Sequence, residues 1–523
     1  MTISASWRGW LDDPKRRILP ILTVAWGNEG PDCDRLHLAT VPNVLRAAPD
    51  LDVHPVTSST DTRQRPFWPW SSWPTVTRKW SPVDGRAEVA VTVVDLLPDA
   101  EVPEALRDNY EQPVGTGRID LWTDGATLAN VIPLAAGKVE IVRQTRRDLG
   151  VRLRLVDGDV DRNVRLSAGT LDFDDFPNAP DTVLGRANRV TVIGAFPNLV
   201  PCSRIDDVGA RFYVCDNALA GRPTEVRVGS EVYTDGFQTV TEVGAGTGIV
   251  YTELRLASPL AELGFLDRRV AVSGGVGIVP DSVLADLLRL GGYGISRAGE
   301  NTLRRVARVL SPSLSAYISA NADLLDVATR RLAPQTGTVL AWSRGKVDAL
   351  ELLAPTQRLN LSPGTGLLYR LDADVSSTSA DNVFNAVEVT FARSARDDRR
   401  LGRVRIDKSS GGDLAALLAL SEQRYGRRFT VLDAADLADE ADVLRLARTF
   451  LRVHALAHQR YAYAADWRTG VGELALNTRV TLTDPDEQLT AVDTRVVEWS
   501  LPPTGPQVVL ETTDLEIDAG LAA

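Results

Sequence analysis

Two histidines have the spacing of a metal-binding pair. His454 and His458 lie four residues apart in a segment, about 440–460, whose apolar residues recur with a helical period, so both side chains would share one helix face. Zinc-binding helices use this spacing, but the stretch HALAH lacks the glutamate of HExxH, and no third ligand is evident. The pattern therefore favours two histidines at the edge of an amphipathic helix, and we predict no metal site there.

Two loops are rich in aspartate, VDGDVDRN (156–163) and LDFDDFP (171–177). Oxygen-rich loops can bind calcium, but neither has the EF-hand spacing with its distal glutamate. Gly158 and Asn163 make the first loop typical of a turn between strands. A pair of carboxylates for glycoside hydrolysis is also conceivable among the 69 acidic residues, since spatial separation decides that chemistry. Calcium binding and glycoside hydrolysis both stay open from the sequence.

Glycine-rich stretches occur at 244–248 (GAGTG), 274–277 (GGVG) and 291–294 (GGYG). None continues into a GK[ST] helix, none has the GxGxxG frame after a strand, and no GxSxG elbow occurs. These stretches therefore predict turns and helix stops. Since no group of residues has a catalytic pattern, we predict no catalytic residue, no cofactor and no enzymatic activity.

Aromatic residues are concentrated in RPFWPWSSWPTVTRKW, residues 65–80, which holds four of the eleven tryptophans. Prolines stiffen this segment, and tryptophan dominates protein interfaces. We predict that it is a loop that buries its aromatic side chains against another subunit. The predicted interface residues are Phe67, Trp68, Trp70, Trp73 and Trp80. A place in the chain's own core and a sugar-stacking platform are the alternatives.

Composition restricts the class of protein. With 523 residues, the chain should form several domains. Its net charge of −11 disfavours general nucleic-acid binding and docking on anionic lipid. No apolar run is long enough to cross a bilayer, and the N-terminus has no secretory signal, so no membrane insertion is expected. Cys33, Cys202 and Cys215 include no CxxC pair, although Cys202 and Cys215 flank a predicted hairpin and could face each other.

Most elements that would position these residues are strands. Alternating, β-branched segments bounded by turn residues recur along the chain, for example 211–215 (RFYVC) and 225–228 (EVRV). Helices are predicted near 283–289, 302–310, 322–332, 414–425 and 440–460. The predicted fold class is mainly β with α+β insertions, in a multidomain chain.

The order of these segments resembles that of phage tail hub proteins. The stretch 117–155 is similar to the first hub barrel, 192–232 to a small β module of tail-tip proteins, and 280–353 to the hub's helical module with its hairpin. The segments NVFNAVEVTF (382–391), ARTFLRVHAL (447–456) and RVVEWSLPPTGPQVVLETTD (495–514) resemble the second barrel. The first ~85 residues depart from the family pattern, and no lytic domain follows the second barrel.

The resemblance implies five domains. These are a Trp/Pro-rich β segment (1–90), a first hub β-barrel (91–185), a small β module (186–278), a helical module with a hairpin (279–370) and a second hub β-barrel with inserted helices (371–523).

The resemblance also implies a structural role in a virion tail that is assembled in the host cytoplasm. The chain would form a homotrimeric ring, with pseudo-sixfold symmetry from its two barrels, between a distal tail or tail tube protein and a tip or fibre protein. A tape-measure protein is a further candidate partner, and DNA would pass through without specific binding. The alternative function is a carbohydrate-binding or glycan-cleaving tail protein that uses the Trp-rich loop.

Overall fold

The computed structural model describes residues 18–26, 34–39, 68–69, 75–88, 91–95, 113–123, 132–144, 151–158, 164–165, 169–196, 200–206, 210–258, 260–264, 269–277, 281–319, 321–355, 358–371, 376–377, 379–393, 399–410, 412–466, 475–501 and 507–513. Strands predominate within these ranges, and the predicted mainly β class with α+β insertions is confirmed. The chain divides into two compact units, Met1–Asp161 with Leu340–Ser379 and Ala457–Ala523, and Arg162–Val339 with Ala380–Leu456. The finer five-domain division stays a prediction.

The first sheet of unit 1 has seven strands, in the spatial order β3-β2-β1-β7-β8-β9-β6. Its strands are β1 (Ile18–Trp26), β2 (Asp34–Ala39), β3 (Trp68–Pro69), β6 (Val91–Asp95), β7 (Pro113–Thr123), β8 (Ile132–Gln144) and β9 (Val151–Asp157). Strands β7, β8 and β9 are consecutive antiparallel neighbours and form a meander.

The second sheet of unit 1 has nine strands. They are β4 (Val76–Ser81), β5 (Arg86–Glu88), β23 (Arg358–Leu361), β24 (Leu367–Arg370), β25 (Ser376–Ser377), β29 (Gln459–Asp466), β30 (Arg479–Asp484), β31 (Leu489–Leu501) and β32 (Gln507–Thr513). Strands β30, β31 and β32 form a second antiparallel meander. The early strand β4 pairs with β31, so this sheet joins segments from opposite ends of the sequence.

One hydrophobic core lies between the two sheets of unit 1. Leu22 and Leu121 from the first sheet and Val480 and Trp499 from the second belong to the same buried cluster. Alternation explains how each strand contributes to it: in β30, RVTLTD, every second side chain is buried. The two sheets therefore stabilise each other through shared apolar burial.

Unit 2 contains a second β-rich core. Its seven-stranded sheet has the order β15-β14-β18-β12-β13-β17-β16, and two short ladders pair β10 with β20 and β11 with β19. The strands are β10 (Val190–Ile193), β11 (Ala195–Phe196), β12 (Val200–Arg204), β13 (Arg211–Cys215), β14 (Glu225–Val228), β15 (Glu231–Tyr233), β16 (Phe237–Val243), β17 (Val250–Leu256), β18 (Val270–Ser273), β19 (Gly275–Val276) and β20 (Ala316–Ser319).

A three-stranded sheet with the order β27-β26-β28 completes the strands of unit 2. It consists of β26 (Ala386–Arg393), β27 (Arg400–Ile406) and β28 (Phe429–Ala434). A separate hairpin, most of which belongs to unit 1, consists of β21 (Thr338–Ser343) and β22 (Lys346–Glu351) and lies where the resemblance implies one, within 280–353.

The helices of the described part are α1 (Leu260–Gly264), α2 (Val283–Leu290), α3 (Arg297–Val309), α4 (Leu324–Asp326), α5 (Ala333–Gln335), α6 (Ala415–Tyr425) and α7 (Glu440–His454). A π-helix, Val327–Leu332, joins α4 to α5, and short 3₁₀ turns lie at Ala380–Asn382 and Gly412–Leu414. The Oγ of Ser282 caps α2 by accepting from the amide of Ala285. No helix in the described residues is long and apolar enough to cross a membrane.

Candidate functional site

The histidine pair does not share a helix. Helix α7 ends at His454, so the prediction that His454 and His458 lie on one helical face is wrong. The His454 ring stacks on Phe450 with ring centroids 4.0 Å apart, and its Nδ1 lies 3.0 Å from the carbonyl oxygen of Asn382. Both histidines are buried. They therefore pack in the core, and the described residues contain no group of three or more potential ligands placed to hold a metal ion.

In the second aspartate-rich loop, Asp175 is bound by hydrogen-bond donors of the GAGTG turn. The Oδ1 of Asp175 accepts hydrogen bonds from the amides of Gly246 and Thr247, at 2.8 and 2.9 Å, and its Oδ2 accepts from the Thr247 hydroxyl at 2.6 Å. Thus the GAGTG stretch is the turn between β16 and β17, as predicted, and it is attached to the aspartate loop. Of the first loop, Asp159 and Asp161 lie outside the described residues.

Arg189 neutralises this buried carboxylate. Its side chain is buried and donates to Asp175 and, at 2.9 Å, to Asp216, while its guanidinium lies over the ring of Phe176. Burial disfavours the charge on Asp175, but the hydrogen bonds from Thr247 and Gly246 and the charge of Arg189 outweigh it and hold its pKa below the usual value. The cluster is a structural ion network, because every charge in it is met by protein groups.

The two cysteines of unit 2 are free thiols. The Sγ of Cys202 lies 3.6 Å from the carbonyl oxygen of Val200, and the Sγ of Cys215 lies 3.5 Å from that of Asn217. Burial raises the pKa of Cys215 to about 12 and that of Cys202 still further. Both thiols therefore stay protonated near neutral pH and are poor nucleophiles.

The Trp-rich segment is described only in part. Trp68 lies on β3, whose backbone pairs in parallel with β2. Phe67, Trp70 and Trp73 lie outside the described residues. For these four residues the interface role stays a prediction.

Trp80 belongs to the chain's own core, which corrects its predicted place in a subunit interface. It lies on β4 with 1% of its surface exposed, and its Nε1 donates to the carbonyl oxygen of Val496 at 2.7 Å. The pairing of β4 with β31 buries the indole. A side chain enclosed in this way within one chain cannot contact another subunit.

Several apolar side chains are exposed on strands. At β24 and just after it, Leu368, Tyr369 and Leu371 are 40–49% exposed. On β28, Phe429 and Val431 are also exposed, and the guanidinium of Arg405 lies over the Phe429 ring. Strand β28 is at an edge of its sheet. Edge strands with apolar side chains are suited to pairing with other chains, so these are the candidate binding surfaces.

Asp120 is a buried acid of unit 1 whose pKa is raised above its usual value. It lies on β7, and its Oδ1 accepts from Nε of Arg118 at 2.6 Å. Burial raises its pKa to about 6, although the charges of Arg118 and Arg344 act in the opposite direction.

We expect Asp120 to make the free energy of unfolding fall as the pH rises from about 4 to about 6. The folded chain holds this proton more tightly than the unfolded chain, where the pKa is about 3.9, so the carboxyl opposes folding once it ionises. The loss is at most about 3 kcal/mol. Urea unfolding of the Asp120→Asn variant between pH 4 and 7 should show a flatter profile than wild type. Parallel profiles would exclude Asp120 as the cause.

The similarities of this chain to known proteins are to solved structures. No family model and no curated protein matches the sequence. Among solved structures, the chain is similar to a 43 kDa tail protein of prophage MuSo2 from Shewanella oneidensis, with 10% identity over 95% of this chain and 99% of that one, at a TM-score of 0.40.

Two further solved structures are similar to the chain. A tail protein from Neisseria meningitidis shares 10% identity over 84% of this chain and 91% of that one, with a TM-score of 0.38. The Francisella PdpA–VgrG complex shares 8% identity over 96% of this chain and 53% of that one, with a TM-score of 0.37. Two of these three solved structures are described as tail proteins.

Proposed function

We propose that the chain is a structural hub protein of a phage or phage-like tail tip. Three copies form a ring that joins the tail tube or distal ring to the tip or fibres and surrounds the DNA channel. The ring is built from protein contacts and carries out no catalysis. Its place is the virion tail, and its partners are itself, a distal tail or tube protein, and a tip or fibre protein, with a tape-measure protein as a further candidate.

One observation carries the proposal: unit 1 contains two large, mostly antiparallel sheets on a single core. Each is built on a three-strand meander, β7-β8-β9 in one and β30-β31-β32 in the other, and the middle strand of each, β8 and β31, has 13 residues. Two similar sheets in each of three chains would give six similar elements around a ring. Such a ring can match a hexameric tube while having only threefold symmetry.

The exposed strand surfaces support an assembling protein. The strands β24 and β28 present apolar side chains, and β28 also has an open edge. Ring contacts between tail proteins require surfaces of this kind, which bury apolar side chains and complete the sheets of neighbouring chains. The sugar-binding alternative has no such support, because Trp80, one of the tryptophans that would stack on a sugar, is buried in the core.

The charge of the chain is compatible with DNA passage. A net charge of −11 repels the phosphate backbone, whereas a protein that holds DNA needs clustered Lys and Arg. We propose that much of this charge faces the channel. A calculated potential of the assembled ring that is neutral or basic along the lumen would contradict this part of the proposal.

Electron microscopy of the purified chain tests the ring. Averaged images should show a closed particle with threefold symmetry and six similar lobes. A variant with the exposed Val431 changed to Asp tests whether the edge strand β28 takes part in assembly. The added charge should then reduce the number of closed particles. Uniform single-chain particles at every concentration would contradict the proposal.

A further inference from the structure

Unit 2 carries an exposed phenylalanine, Phe173, on a turn whose neighbouring residues are held by hydrogen bonds. Phe173 is 64% exposed, while its neighbours in the sequence Leu171 and Phe176 are buried in the core. The amide of Phe176 donates to the carbonyl oxygen of Asp172 at 3.1 Å, and the amide of Asp175 donates to the Asp172 carboxylate at 2.9 Å. The turn therefore presents Phe173 to solvent in a defined orientation, and its burial by a partner would cost little ordering entropy.

The surroundings of this ring are acidic. Asp172 and Asp174 flank it in sequence. Asp174 is exposed, whereas the side chain of Asp172 is 41% exposed and lies 3.7 Å from Arg189. Asp175, the third acid of the loop, is bound to Arg189 and to the GAGTG turn. A partner surface that accepts Phe173 would therefore meet two carboxylates, and it should be apolar at its centre and basic at its rim.

Unit 2 also contains a cavity that is lined by apolar side chains and has an arginine at its rim. It lies between the start of α2 and the end of α3 and has a volume of about 300 Å³. Since a cavity of about 150 Å³ can hold a benzene ring, this one has room for a phenyl group. Its apolar lining consists of Val283, Leu284, Leu303, Val306, Ala307 and Leu314.

Two polar features make the cavity complementary to the acidic turn. Arg308 lines it and is exposed, on a helix (α3) that carries four arginines against the one glutamate Glu300. Asp281 also lines the mouth but lies 3.5 Å from Arg304. The Oγ of Ser311 is buried and has no hydrogen-bond partner within the described part of the chain, which leaves a donor for an incoming carboxylate.

We propose that Phe173 of one copy inserts into this cavity of the next copy, with Asp174 facing Arg308. The two surfaces consist of different residues, so the contact is head-to-tail and repeats around a closed ring. This inference rests on the proposed function, since it names the surfaces through which the hub ring closes. A buried aromatic anchor in a pocket with charge pairs at its rim is the usual form of an interface hot spot.

Sedimentation velocity over a range of concentrations tests the contact. Phe173→Ala should raise the dissociation constant of the assembly at least about tenfold, while Val232→Ala, at an exposed apolar position elsewhere in the unit, should leave it unchanged. Asp174→Arg and Arg308→Glu should each weaken assembly, and the double variant should regain most of the loss. Circular dichroism should match wild type in all variants, because the four side chains are exposed.

The possible outcomes separate the inference from the proposed function. If wild type forms trimers and Phe173→Ala forms them with the same affinity, the contact is wrong and the hub function stands. If Phe173→Ala instead abolishes binding of a separate tail protein, the cavity serves that partner and the inference is equally overturned. If wild type stays monomeric at every concentration, the trimeric hub itself fails. Failure of the double variant to recover would remove the pairing of Asp174 with Arg308.

Discussion

Replacing Trp80 with alanine is expected to lower the free energy of unfolding by about 3–5 kcal/mol. The indole is almost completely buried in unit 1, and its removal leaves a cavity and takes one of two donors from the carbonyl oxygen of Val496, which keeps the amide of Asn477 at 2.9 Å. Urea unfolding followed by hydrogen exchange of β4 and β31 should place the loss in the nine-stranded sheet. An interface residue would behave differently, because its removal would weaken assembly and leave the unfolding of the single chain unchanged.

Trp80→Phe is the matched control. It keeps most of the apolar volume and removes the Nε1–H donor, so we expect a smaller loss, which combines the missing hydrogen bond with the reduced volume. If Trp80→Ala unfolds at the wild-type urea concentration and assembles poorly, the placement of Trp80 in the core is wrong.

Replacing Arg189 with methionine is expected to destabilise unit 2 by about 3–5 kcal/mol. The change removes the cation that pairs with Asp175 and Asp216. Both carboxylates then remain buried without it, because no more than 3% of either side chain is exposed. Hydrogen exchange should rise in β13, β16 and β17, and the turn that carries Thr247 should lose its protection.

The triple variant Arg189→Met, Asp175→Asn, Asp216→Asn separates charge from packing. Because it removes all three charges together, it should be more stable than Arg189→Met alone. Since the pKa of Asp175 is held below its usual value of about 3.9, its stabilising effect is present above that pH and is lost as the pH falls through the folded pKa. The free energy of unfolding of wild type relative to that of the triple variant should therefore fall in acid. A triple variant less stable than Arg189→Met would contradict this account.

Local patterns predicted several of the strands and the helices near 283–289 and 302–310. The strands at 211–215 and 225–228 have the predicted bounds, because their β-branched and aromatic residues and the turn residues around them are local features of the sequence. The prediction for α7 extended to Arg460, but the helix ends at His454 and β29 begins at Gln459. Pairing of β29 with β24 and β32 decides this boundary, and no local pattern reports on strands that are distant in the sequence.

Correct prediction of the candidate sites would also have required contacts between residues that are distant in the sequence. A tryptophan in a proline-rich stretch is typical of a core as well as of an interface, and only the pairing of β4 with β31, more than 400 residues apart, assigns Trp80 to the core. The aspartate loop at 171–177 has the composition of a cation site, but Asp175 accepts hydrogen bonds from Arg189 and from the GAGTG turn. The exposure of Phe173 within a loop whose neighbours are buried could not be foreseen from LDFDDFP, in which each phenylalanine directly follows an aspartate.

Native mass spectrometry of the purified chain tests the central claim, that this is a ring-forming structural protein, most directly. The account predicts a dominant species of three times the 56.7 kDa chain mass, which dissociates on dilution without unfolding. A protein that remains a single chain from micromolar to high concentration, or that forms only dimers, would contradict it.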